Sequence, residues 1–187
     1  MGDELETSRL RLRRWRPDDL DALVRWQSDP VLMEHMGQDS YTREESEAAL
    51  GRYLRHWDEH GFGLLAVEEK ETGTLIGRSG VQYHRMWPDD PEVGWLIDAP
   101  WQGQGLATEA GAACIRRAFD GLGFERVVSI CTPENLASRR VMEKLGFAVH
   151  REVEDPRLGL LLWVHAVSSR AWRSRPAAST GSSSTAG

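Results

Sequence analysis

Pro100-Trp101-Gln102-Gly103-Gln104-Gly105-Leu106-Ala107-Thr108-Glu109 is the stretch on which the reading of this chain turns. A short apolar run over residues 93–97 leads into it, and small residues follow at helical spacing: Ala107, Ala110, Gly111, Cys114 and Ala118. Strand, glycine-rich turn and helix therefore succeed one another directly, which sets several backbone N–H groups at the positive end of a helix dipole. Gly103, Gly105 and Ala107 let a ligand approach that backbone closely, and phosphate oxygens are what such a turn receives. No Gly-Lys-Ser/Thr follows, so this is not a Walker loop, and the three-glycine dinucleotide spacing is absent. From these residues alone, a pyrophosphate site and a plain tight turn both remain open.

Upstream, the alternation Leu10-Arg11-Leu12-Arg13 predicts an edge strand. Pro17-Asp18-Asp19 predicts a helix start, continued by Leu20, Leu23, Val24 and Gln27 and stopped at Ser28-Asp29-Pro30. Thr42-Arg43-Glu44-Glu45 is a capping box for a second helix, with Leu50, Tyr53, Leu54 and Trp57 as its apolar face and Gly61 as its left-handed cap. Residues 62–68 and 74–83 read as a hairpin about Glu71-Thr72-Gly73, residues 84–91 with two prolines as a loop, and 93–97 as a short strand. Downstream, a largely buried helix is expected over 106–121, a buried strand over 127–131, a helix over 135–145 ended by Gly146, and strands over 147–153 and 158–167. The order β-α-α-β-β-β-α-β-α-β-β describes a mixed α/β (α+β) domain and not a doubly wound one. The expected domain spans residues 1–173, and the Ser/Ala/Gly-rich residues 174–187 are expected to be a disordered tail, with too little apolar surface to order themselves.

Composition excludes several function classes. The chain has 187 residues, 40% hydrophobic and 28% charged, as in soluble globular proteins. No apolar run approaches the ~20 residues of a membrane-spanning helix, and Met1-Gly2-Asp3-Glu4 opens no secretory signal, so the cytoplasm is the expected compartment and no membrane partner is expected. The net charge of −6 argues against a dedicated nucleic-acid binder. Cys114 and Cys131 are too few for a disulfide framework or a cysteine zinc site and read as small buried hydrophobes, with a catalytic thiol as the lesser alternative. His56 and His60 stand at i and i+4 on the second helix, but no third ligand is evident and no metal is expected. Residues 18–71 hold 14 acidic and 5 basic side chains, either a solvated helical surface or a field that attracts cations.

Gln102-Gly103-Gln104-Gly105-Leu106-Ala107 resembles the Gln/Arg-x-x-Gly-x-Gly/Ala signature of the GNAT superfamily of acyl-CoA-dependent N-acyltransferases. Four further segments resemble its RimJ/RimL-type branch, named for enzymes that acetylate ribosomal-protein N-termini. They are Thr7 to Arg13 (first strand), Gly73 to Gly80 (central hairpin), Glu92 to Ile97 (strand before the loop) and Asn135-Leu136-Ala137-Ser138 with Leu145-Gly146-Phe147 (Asn-x-x-Ser helix). The resemblance covers residues 7–173 and implies a mixed, mostly antiparallel sheet. In it, the strand at 93–97 splays from the one at 127–131 to admit the pantetheine arm of a CoA thioester.

The resemblance also implies roles. Main-chain groups of Leu96 and Ile97 bond the arm and polarise the thioester carbonyl, and the N–H groups from Gly103 to Thr108, with Gln102 beside them, receive the pyrophosphate. Asn135 bonds the arm, caps its helix, or does both. An amine attacks the thioester directly. Glu92 is the candidate base, weighed equally against a solvated strand-end carboxylate. Ser138 is the candidate donor to the departing thiolate, where many members use a Tyr that this chain lacks, against a hydroxyl bonded back to the preceding turn. The acceptor pocket is expected near the first two helices, with His84 and Trp87 as candidates and Asp89 and Asp90 beside them. The acidic segment favours a cationic acceptor, a peptide N-terminus or a small cationic amine. The expected activity is N-acetyl transfer from acetyl-CoA. The rivals are another acyl donor such as succinyl-CoA, a non-catalytic CoA-binding regulator and, last, a generic nucleotide-binding domain. Dimerisation is expected from the family alone.

Overall fold

Hairpins build one half of the sheet. A computed structural model describes residues 3–34, 39–84, 87–155 and 159–175, without the side chains of residues 87–89. In it, β1 (Leu5–Glu6), β2 (Leu10–Arg13), β3 (Leu64–Glu69), β4 (Leu75–His84) and β5 (Trp87–Ile97) lie side by side, all antiparallel. The other half is β6 (Arg126–Cys131), β8 (Leu160–Ser168) and β7 (Ala148–Asp155), again antiparallel and in that spatial order. The halves meet where β5 and β6 run parallel, and a single pair, Glu92 with Val128, joins them. Beyond it β5 continues to Ile97 and β6 to Cys131 without further pairing among the described residues, which is the expected splay.

Helices cover both faces. α1 (Leu20–Gln27), α2 (Pro30–Glu34) and α3 (Arg43–His60) lie on one, where Trp15, Leu23, Trp26, Leu50 and Leu96 form a core. α4 (Leu106–Arg116) and α5 (Leu136–Lys144) lie on the other, against Val93, Ile97, Val127 and Phe147. The small-residue face of α4 brings it close: a Cβ on Gly111 would stand 2.9 Å from Leu145 and 3.2 Å from Trp95. The capping box at Thr42 forms as expected, and Gly61 closes α3 at φ 72°.

Several boundaries differ from the sequence reading. The edge strand is β1, two residues long, which covers β2. The first helix stops at Gln27 as expected, but Pro30 begins a further helix, α2, because Asp29 Oδ1 accepts from the N–H of Val31 at 2.9 Å and a Pro at the first turn lacks only an N–H that would have no partner there. Residues 87–91 are strand where a loop is expected. That part of β5 has β4 alone as a neighbour, and prolines are tolerated on an unpaired edge. The helix over 106–121 is α-helical only to Arg116 and ends in one π turn, Arg117–Gly121. After β8 comes α6 (Ser169–Arg173), and the chain is described through Arg175, whose guanidinium donates to the Leu145 carbonyl at 2.6 Å and to that of Lys144. The rest of the expected tail, 176–187, lies outside the described residues. No described helix is long and apolar enough to cross a membrane.

Candidate active site

The glycine turn forms the floor of a groove. Gly103 and Gly105 take φ of 76° and 79°, left-handed conformations that any side chain would strain, and a Cβ on Gly103 would meet nothing within 4 Å. The first backbone bond of α4 runs from Glu109 N–H to the Gly105 carbonyl at 3.0 Å, so the N–H groups of Leu106, Ala107 and Thr108 precede the helical ladder. The Gln102 amide braces the turn on the Ile97 carbonyl at 2.8 Å, and Gln104 reaches the Pro100 carbonyl at 3.3 Å.

A second brace escapes the sequence reading. Glu109 accepts from Thr7 Oγ1 at 2.6 Å, Ser8 Oγ at 3.0 Å and Arg9 N–H at 2.9 Å, and its other oxygen takes Arg9 Nε at 2.7 Å. Arg9 then donates to the Gln104 carbonyl at 3.0 Å. The β1–β2 turn thereby clamps the glycine turn. The chemistry of Glu109 is local to the motif, but its partners lie about a hundred residues away and no spacing announces them.

The groove holds about 370 Å³. It brings together Ile97, Gln102, Gly103, Gly105, Leu106, Ala107, Thr108 and Ser138 of the expected cofactor residues, and adds Arg140 and Lys144 from the next turns of α5 and Leu32 from α2. The cations follow Ala137 at i+3 and i+7, a spacing readable in the sequence, whereas α2 was not. Leu96, Gln104 and Asn135 do not line it. Alternation along β5 turns the Leu96 side chain to the opposite face, into the α1–α3 core, and leaves only its main chain near the gap. Asn135 is the N-cap of α5, its Oδ1 accepting from Ser138 N–H at 2.9 Å. Arg175 seals the other end of this helix, so α5 is held at both termini. The Ser138 hydroxyl has no hydrogen bond among the described residues; it is half-buried and lines the groove. A glycine turn with free N–H groups, a cradle with room and two cations together fit a phosphate-bearing co-substrate.

On the other face of β5 lie two communicating cavities. One, of about 160 Å³, is lined by Trp26, Gln27, Arg78 and Leu96, the other, of about 500 Å³, by His56, Tyr83 and His84, and both by Arg52, Tyr53, Leu64 and Gln82. Strand register explains the floor: Gln82 is opposite Glu92, Gly80 opposite Gly94 and Arg78 opposite Leu96, all on one face. Glu92 thus stands where β5 leaves β6, across from Gln82 on the cavity face of the sheet. Loss of water pushes its carboxyl up to about 7, against the pull of the Arg78 guanidinium and the Gln82 amide 3.5 Å away.

The remaining candidates sort by partner. His84 lines the larger cavity, while the side chains of Trp87 and Asp89 lie outside those described. Asp90 is buried and ion-paired to Arg126 and Arg151, so it ties β5 to the second half of the sheet. His56 has both ring nitrogens engaged, Nδ1 with the Phe62 carbonyl at 2.8 Å and Nε2 with Tyr83 N–H at 3.0 Å, and burial lowers its pKa. It holds α3 to β4 as a neutral imidazole and has no nitrogen left for a metal shared with His60. Cys114 and Cys131 are buried, and burial pushes both thiols up to about 11, so they are not thiolates at neutral pH.

The sequence model of the Acetyltransferase (GNAT) domain family matches residues 9–148. The chain is 29% identical over 142 residues to a Bacillus subtilis protein named uncharacterized N-acetyltransferase YnaD, covering 76% of this chain and 81% of that one. In structure it resembles an acetyltransferase from Agrobacterium tumefaciens, with a TM-score of 0.77, 27% identity and coverage of 88% and 94%. It shares the fold of the ribosomal-protein-S5-alanine acetyltransferase from Vibrio fischeri, with a TM-score of 0.74, 19% identity and coverage of 94% and 100%.

Proposed function

The chain belongs to the GNAT family of N-acetyltransferases, and we propose that it moves the acetyl group of acetyl-CoA onto a primary amine, a small molecule's or a peptide's N-terminal one, by direct attack in a ternary complex. A GNAT domain implies acetyl-CoA as co-substrate. The pyrophosphate rests on the N–H groups of residues 103–108, and Arg140 and Lys144 neutralise phosphate charge from α5. The pantetheine arm follows the groove past Ser138 to the gap beside Ile97.

The amine arrives from the opposite face as an ammonium and gives a proton, through water, to Glu92. Its lone pair then forms the C–N bond at the thioester carbon while the C–S bond breaks. Main-chain N–H groups about Leu96 and Ile97 stabilise the oxygen that gains charge. The Ser138 hydroxyl hands its proton to the departing thiolate and regains one from the nitrogen, so free thiol and amide leave in balance. A carboxyl titrating near neutrality is suited to this task, since it is substantially ionised and still basic enough to accept the proton.

One observation carries the reading: the groove and the cavities open on opposite faces of β5, and Glu92 stands at the point where the sheet parts between them. The test is calorimetric titration with acetyl-CoA, succinyl-CoA and CoA, followed by thiol release with an amine panel. Micromolar binding with a preference for acetyl-CoA and amine-dependent thiol release is the expected result. A preference for succinyl-CoA replaces the donor, and binding without release on any amine makes the protein a CoA-binding regulator.

A further inference from the structure

The summed charge of residues 18–71 favours a cationic acceptor, but the acidic side chains of that segment do not face the acceptor cavities. Asp19 and Glu68 are taken by the buried Arg13, at 2.7 and 2.6 Å. Asp21 pairs with Arg43 and Asp58 with Arg14, both at 2.8 Å on the outer surface. Glu45 and Asp29 are spent on helix caps, Glu69 on the β3–β4 turn, and Glu44, Glu47 and Glu59 are exposed on α3. The fixed charges among the described residues lining the cavities are two arginines, Arg52 from α3 and Arg78 from β4, and Glu92 stands opposite the lining residue Gln82 on the same face of the sheet.

Polar atoms in the smaller cavity lack partners. Gln27 Oε1 and Trp26 Nε1 are buried without a hydrogen bond among the described residues, in side chains only 6% and 1% exposed, and both residues line it. A buried carbonyl oxygen and a buried indole N–H left unsatisfied are costly unless something completes them. Arg52 makes no ion pair or hydrogen bond among the described residues. The floor is bare at Gly94, where a Cβ would have only a Glu92 oxygen at 3.9 Å.

Resting on the function proposed above, the geometry points to a small amino carboxylate as the acceptor, an amine and a carboxylate on one molecule. Arg52, Arg78 and the Trp26 N–H receive the carboxylate, Gln27 Oε1 accepts from the amine, and the amine lies over Gly94 within water's reach of Glu92. Guanidinium groups suit this end because they are permanently charged and fork onto two oxygens. The Glu92 carboxylate and Gln27 serve the amine end, so the cavity is dipolar and not simply basic. The smaller cavity, of about 160 Å³, has room for a free amino acid.

The experiment measures acetyl-CoA-dependent thiol release from the full chain with matched triads: each amino acid, its carboxamide and the decarboxylated amine. A charge-assisted bond to carboxylate is worth about tenfold or more in kcat/KM over the carboxamide. In Arg52→Gln that discrimination falls to within about threefold, mainly through KM, and Arg52→Lys restores part of it. Arg52 is exposed, so its replacement does not threaten folding, whereas Arg78→Gln is read beside a melting curve. Carboxamides, polyamines or peptide N-termini turned over as fast as the amino carboxylates overturn the inference and leave the proposed function standing. Acetyl-CoA binding without thiol release on any amine of the panel overturns both.

Discussion

The two faces of β5 are built by opposite means. On the α4 face, the groove presents backbone: N–H groups at a helix start, glycines that keep out of the way and a hydroxyl on a helix capped at both ends. On the α1–α3 face the smaller cavity is lined by side chains from α1, α3 and β4 that converge only in three dimensions. A ligand with a constant part can be met by a constant backbone, whereas a ligand that differs between proteins is best met by side chains, which change one at a time. On the function proposed above, the groove meets the part of the donor common to the family, and the cavity behind it meets the acceptor.

The comparison can be broken at several points, the largest effect first. Gly105→Trp should abolish acetyl-CoA binding in calorimetry, at least a hundredfold, because φ of 79° strains any side chain and the indole occupies the cradle. Unchanged affinity would detach the turn from the donor. Glu92→Gln should cut kcat/KM by about 10²-fold and remove the limb of the pH profile that rises through about 7, while acetyl-CoA affinity stays within twofold. A carboxyl raised in the folded state favours folding at low pH and loses that advantage as pH rises from its unfolded value of 4.5 through about 7. The same variant should therefore melt higher than the parent at pH 8 and no higher at pH 4. A retained limb assigns the base elsewhere.

Ser138→Ala should lower kcat about tenfold with the acetyl-CoA dissociation constant unchanged, and parental turnover removes the hydroxyl from the reaction. Gly94→Ala sharpens the division between the faces. The added methyl meets no backbone in the fold, so melting and donor affinity should hold while acceptor KM rises severalfold. A change in donor affinity instead would show that the two sites share this floor.

The donor side was legible because its chemistry needs particular residues at fixed separations within one short segment. Residues 93–108 carry strand, turn and helix start together, and Asn135 with Ser138 carries cap and hydroxyl within one turn. The acceptor side was not, since Gln27, Arg52 and Arg78 have no sequence relation, and a sum of charges carries no direction: Arg13 alone removes two of the acids counted toward a cationic pocket. Helix α2 was hidden by its own first residue, because Pro30 reads equally as an end and as a beginning. The strand at 87–91 was hidden by two prolines whose missing donors matter only if a neighbour is present.

Among the described residues, one rung of pairing, Glu92 with Val128, joins the two halves of the sheet, helped by the salt links of Asp90. The core beneath α4 and α5 runs across both halves, so the weak point is the seam of the ladder itself, and backbone amides beside it are expected to exchange with solvent sooner than those of the hairpins on either side. A thioester laid into the gap would bridge the two halves as a rivet does two plates. Its arrival would slow exchange on β6 and β8 as well as on the glycine turn it touches.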